Sequence, residues 1–73
     1  MSKYIVPICD IQAGIIYNKK IIARTLEQCK EKLLQYFLDE YDFISDLDSY
    51  RDTIKLLDEH DVLVGNIKDV EEL

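Results

Sequence analysis

Residues 3–11 read Lys-Tyr-Ile-Val-Pro-Ile-Cys-Asp-Ile, and this stretch decides the fold class. Its β-branched and aromatic residues suit a strand. Alternation puts Tyr4, Val6 and Ile8 on one face and Ile5, Pro7 and Cys9 on the other. Pro7 has no N–H to give a ladder, so the strand is expected at a sheet edge or bulged at that point. Gln12-Ala13-Gly14 reads as the turn that follows. Residues 15–23 resume the β pattern, with Ile15 and Tyr17 opposing Ile16 and Ile22. Asn18-Lys19 interrupts that run as a second tight turn would, so the pattern allows one strand or two.

The periodicity then changes. Thr25 with Gln28 three residues on forms a capping box, which opens a helix. Leu26, Cys29, Leu33, Phe37 and Tyr41 recur at three- and four-residue steps and make an apolar stripe, widened by Leu34 and Leu38. Glu27 with Lys30 and Glu31 add exposed pairs at helical spacing. The helix should end near residues 40–42. Ser45 with Asp48 repeats the capping signature, and Leu47, Tyr50, Ile54 and Leu57 form a second stripe. Residues 46–60 are therefore expected as a second helix. The short link favours an antiparallel or steeply angled pair. Asp61-Val62-Leu63-Val64 reads as a short strand stopped by Gly65-Asn66. The acidic tail from Ile67 is either a last strand or a frayed end.

The order is β-β-α-α-β, an α+β fold. A small antiparallel sheet, made of a β-hairpin and a C-terminal strand, packs two helices on one face; this buries both stripes most simply. Residues 1–73 make one small domain, near the lower size limit for unaided folding. Such a chain has spare apolar area that a partner or a second copy would cover. Two cysteines, no signal-peptide pattern and no long apolar run point to a reducing cytoplasm and against a membrane.

Residues 1–38 carry six basic side chains against three acidic ones. Residues 39–73 carry three basic side chains against twelve acidic ones. Net charge is −6. This polarity bears on association rather than on fold. Lys19, Lys20 and Arg24 form a small basic patch near Tyr17, but an acidic chain is a poor candidate for binding nucleic acid directly.

Nothing in the sequence assembles an enzyme, and no cofactor is implied. Cys9, Cys29 and His60 are too few and too scattered for a structural zinc site. Asp46, Asp48 and Asp52 match positions 1, 3 and 7 of a calcium loop. Arg51, however, occupies the glycine position and Leu57 the bidentate glutamate position. Cys29 lies on an apolar stripe, which predicts an inert thiol. His60 reads as a solvated residue at a helix C-terminus. No phosphate-binding glycine motif occurs.

The acids of the second half are the candidate site. Asp39, Glu40, Asp42, Asp46, Asp48, Asp52, Asp58 and Glu59 on a helix pair offer spacings comparable to backbone phosphates. Tyr36, off the main stripe, is the expected exposed aromatic anchor, with Tyr41 and Tyr50 nearby. The expected partner is a protein with a basic, nucleic-acid-binding surface. The competing reading is a solvated acidic surface that only resists aggregation. A homodimer or scaffold subunit is the alternative form of association. In general character (tiny, acidic, tyrosine-bearing, without cofactor motifs) the chain resembles the small proteins with which phages and mobile elements block host nucleases, anti-CRISPR inhibitors among them. That resemblance covers no defined segment; it implies inhibition by nucleic-acid mimicry.

Overall fold

The computed structural model describes residues 2–44 and 49–70. The elements are β1 (Ser2–Asp10), β2 (Ile15–Ala23), α1 (Leu26–Glu40), α2 (Tyr50–Glu59), β3 (Val62–Val64) and β4 (Lys68–Asp69). The sheet is antiparallel, with β1 between β2 on one side and β3 and β4 on the other. Both helices lie on one face. The α+β order is the one the sequence pattern gives, with the C-terminal strand divided in two.

The hairpin is one continuous pair. Ser2 faces Ala23 and Asp10 faces Ile15, so residues 15–23 form a single strand through Asn18-Lys19. Gly14 supplies the positive φ of 71° that the turn needs, and its N–H donates to the Asp10 carbonyl at 2.9 Å. The Asp10 carboxylate also accepts from the Ala13 N–H at 3.1 Å.

β1 is central, which corrects the edge expected from Pro7. The odd residues of β1 turn their backbone groups away from β2. Gly65 and Val70 donate to the carbonyls of Pro7 and Lys3, each at 2.8 Å. In a strand the nitrogen of a residue points to the same side as its carbonyl. The Pro7 nitrogen therefore faces the break between β3, which pairs with Ile8–Asp10, and β4, which pairs with Tyr4–Ile5. The missing donor falls where the ladder ends: Gly65 donates to the Pro7 carbonyl, and proline gives no bond in return.

The core forms where the even face of β1 meets the helices. Tyr4, Val6 and Ile8 pack with Ile21 and Ala23 of β2, with Cys29, Leu33 and Phe37 of α1, and with Ile44, Leu57 and Val62. Truncating a fully buried Leu33 or Phe37 to alanine would cost about 2–5 kcal/mol. α1 starts as its capping box requires: Thr25 Oγ1 accepts from Gln28 N–H at 3.1 Å, and Gln28 Oε1 accepts from Arg24 N–H at 2.7 Å. α2 starts later than the stripe suggested. Ser49 is its cap, accepting from Asp52 N–H at 3.2 Å. The Ser45–Asp48 signature and Leu47 lie outside the described residues.

The helices run in the same sense, not antiparallel. At one end Tyr50, the first residue of α2, has Lys30 Nζ 5.6 Å from its ring centre. At the other, Phe43 just beyond α1 stacks on His60 just beyond α2, 3.9 Å apart and 5° from coplanar.

Among the described residues, no helix covers the second face of the sheet. Ile16 (80% exposed), the half-buried Cys9 and Leu63 (43%) form one cross-strand row on it. Ile5 stands between Lys20 and Lys68 in another, and Lys3 pairs with Ile22, 54% exposed. A solvated antiparallel face ordinarily alternates toward polar residues; this one keeps its apolar ones.

Candidate functional site

The topology brings three chain segments to one end of the molecule. α1 follows β2 and runs parallel to β1, so its C-terminus arrives beside the hairpin turn. α2 runs in the same sense and turns through His60-Asp61 into β3, whose Val62 faces Asp10. Ile11 N–H donates to the Asp61 carbonyl at 2.9 Å and ties the turn after α2 to the end of β1.

This end is an acidic pole. Asp39, Glu40 and Asp42 stand at the C-terminus of α1, Asp58 and Glu59 at that of α2, with Asp61 and Asp10 beside them. All are exposed except Asp10, which is half-buried. Residues 10–14, 39–44 and 56–62 contain no lysine or arginine, and neither helix has a basic residue in its last turn. Negative charge at a helix C-terminus opposes the peptide dipole, so each such carboxylate costs about 0.3–1 kcal/mol rather than contributing it. Asp61 also holds a left-handed backbone, φ 63°, where glycine would be easier.

Aromatic rings hold the pole in shape. Tyr41 lies 6.4 Å from Phe37 and 5.5 Å from Phe43, centre to centre, and Phe43 stacks on His60. The ends of the two helices are thereby fixed to each other through side-chain packing. Tyr41 Oη lies 3.5 Å from the Asp10 carboxylate, a long contact. Burial pushes the Tyr41 hydroxyl above its ordinary pKa, and the charge of Asp10 adds to the rise.

Tyr36 is not the exposed anchor expected of it. Its hydroxyl hydrogen-bonds that of Tyr17 at 2.7 Å, and Lys19 Nζ sits 4.3 Å from its ring centre. α1 turns this side toward β2, so a residue off the core stripe is half-buried against the hairpin. Burial raises the Tyr36 pKa strongly, and its hydrogen bond with Tyr17 raises it further.

The remaining candidates divide. Asp52 sits in the first turn of α2, about 9 Å along the axis from Asp58. There it favours the dipole, and it does not belong to the pole. Asp46 and Asp48 lie outside the described residues. Asp10 and Asp61 join the pole although neither was a candidate from sequence. Asp10 falls in the basic half of the chain, and grouping the acids with the helices passed over a turn residue such as Asp61.

Among the described residues no three His, Cys, Asp or Glu side chains come together as a metal site. Cys9 lies on the open sheet face and Cys29 in the core, where burial pushes its thiol pKa up. Two open grooves flank α2: one of about 550 Å³ between Arg51, Lys55 and Leu63, another of about 330 Å³ between Leu26, Tyr50 and Ile67. No described helix is long and apolar enough to cross a membrane. Site and fold together define a small α+β domain with a charged pole. Comparison with protein-family models, curated proteins and solved structures gives no match.

Proposed function

We propose that this protein is a non-enzymatic interaction module that docks its acidic pole onto a basic surface of a larger, nucleic-acid-binding protein. The observation that carries this reading is the placement of carboxylates in the last turns of both helices, at one end, with no basic residue among them. Carboxylates kept where the dipole opposes them weaken the fold, and a binding role accounts for keeping them. Held on packed helices, they present fixed negative charge to a groove built for phosphates, and the module inhibits by occupying it. Phage inhibitors of host nucleases use the same logic.

The test is affinity capture from a heparin-binding protein fraction of the host, with immobilised wild-type chain and a variant carrying D39K, D42K, D58K and E59K. The wild-type chain should retain a protein that duplex DNA releases, and the variant should not. Retention of the same protein by both chains would show that the pole is not the binding surface.

The alternative, a homo-oligomeric subunit paired through β2, has one observation in its favour: β2 is a nine-residue strand at the sheet edge. Against it, Lys32 Nζ already donates to the Ile22 carbonyl at 2.6 Å, and Lys20 stands on the strand, a charge of the kind that blunts edges.

A further inference from the structure

We propose that the helix-free face of the sheet is a second docking surface, and that its occupant is an acidic amphipathic helix of a partner protein. The face is graded along the strands. The row Ile16–Cys9–Leu63 is wholly apolar, and its two outer members are exposed. Four residues along β1, about 13 Å away, Ile5 lies between Lys20 and Lys68. Lys3 follows at the same end, paired with Ile22. The register puts no carboxylate at any outward position of the strands. Asp10 and Asp69 pair with Ile15 and Tyr4, positions of the helix-covered side.

Charge complementarity selects the occupant. A second copy stacked on this face would set its three lysines against three lysines or, turned end for end, over an apolar row, and among the described residues no carboxylate stands at an outward strand position to offset them. A helix laid along β1 buries an apolar stripe over Cys9 and carries carboxylates about nine residues further on, opposite Lys20 and Lys68. It would complete a three-layer α/β/α arrangement and cover what the chain's own helices leave open. The acidic pole lies at the helix C-termini and the adjoining turns rather than at the outward strand positions, so the domain can join two partners of opposite charge.

Cys9 reports on the face, because it stands within the apolar row while Cys29 is fully buried. The experiment measures alkylation of Cys9 in the intact protein, with two synthetic helical peptides as probes. Each has a leucine stripe; one ends in glutamates about nine residues along, the other in lysines. The acidic peptide, at about ten times its Kd, should slow alkylation about ten-fold, and the basic peptide should not. In the variant with K20E and K68E, exposed changes that leave the core intact, the preference should reverse. Equal protection by both peptides, or by neither, would overturn the proposal. Protection that grows with protein concentration alone would assign the face to a second copy. Protection by phosphatidylserine vesicles but not by the acidic peptide would assign it to a membrane. Either of these results overturns the helix proposal.

Discussion

Gly65 lies against Pro7 so closely that a Cβ at residue 65 would stand 2.5 Å from Pro7 Cγ. Both residues lie where the sheet ladder is interrupted between β3 and β4. Gly65 still donates its N–H to the Pro7 carbonyl, so the chain crosses the break while staying bonded to β1. Substituting Gly65→Ala should destabilise the fold by about 1–3 kcal/mol, the usual range for forcing an extra methyl into packed structure. Urea unfolding measures it. Because the clash is with one ring, Pro7→Ala in the same chain should recover part of the loss. A double-mutant cycle should show the pair coupled; strict additivity would mean that the contact is not the cause.

Charge at the helix C-termini gives a prediction of opposite sign. Asp58→Lys and Glu59→Lys, made singly, should each stabilise the domain by about 0.3–1 kcal/mol, because a cation there complements the dipole. Moving the same change to Asp52, in the first turn of α2, should destabilise by a similar amount. Chemical denaturation of the three variants checks the pattern. Loss of stability in the Asp58 and Glu59 variants would show that these carboxylates are held by favourable contacts.

The tyrosines make the fold sensitive to alkali. Burial raises the hydroxyls of Tyr17, Tyr36 and Tyr41 above the ordinary value of 10, and pushes Tyr50 up to about 12. Above pH 10 the unfolded chain releases phenolic protons that the folded chain keeps. Stability is therefore intact below pH 10 and falls as pH rises from 10 towards 12. Phenolate absorbance should show most tyrosines ionising late, together with loss of far-ultraviolet ellipticity. Titration of all five near pH 10 in a folded chain would contradict this.

Much of the architecture was legible from sequence because it follows local rules. Alternation in β1 found Tyr4, Val6 and Ile8 as a buried face, and Thr25 with Gln28 found the start of α1. Pro7 misled because the edge rule assumes an unbroken neighbour. The start of α2 is ambiguous in sequence because Ser45–Asp48 and Ser49–Asp52 spell the same signature twice, and Ser49 is the cap. The pole was half legible. Asp39, Glu40, Asp42, Asp58 and Glu59 were visible as acids, but their meeting at one end depends on the helices running in the same sense. Asp10 joins them only through the register of β1 with β3, and Tyr36 is withdrawn only because α1 leans on β2. These are tertiary facts that no window of sequence holds.

The measurement that tests the central claim most directly is the salt dependence of the affinity between this domain and the protein its acidic pole captures. The wild-type chain should bind with a Kd that weakens steeply and steadily as salt rises, since the contact is between exposed charges. In the D39K, D42K, D58K and E59K chain both the affinity and its salt dependence should be lost. A wild-type affinity indifferent to salt, or retained unchanged in that variant, would contradict the account.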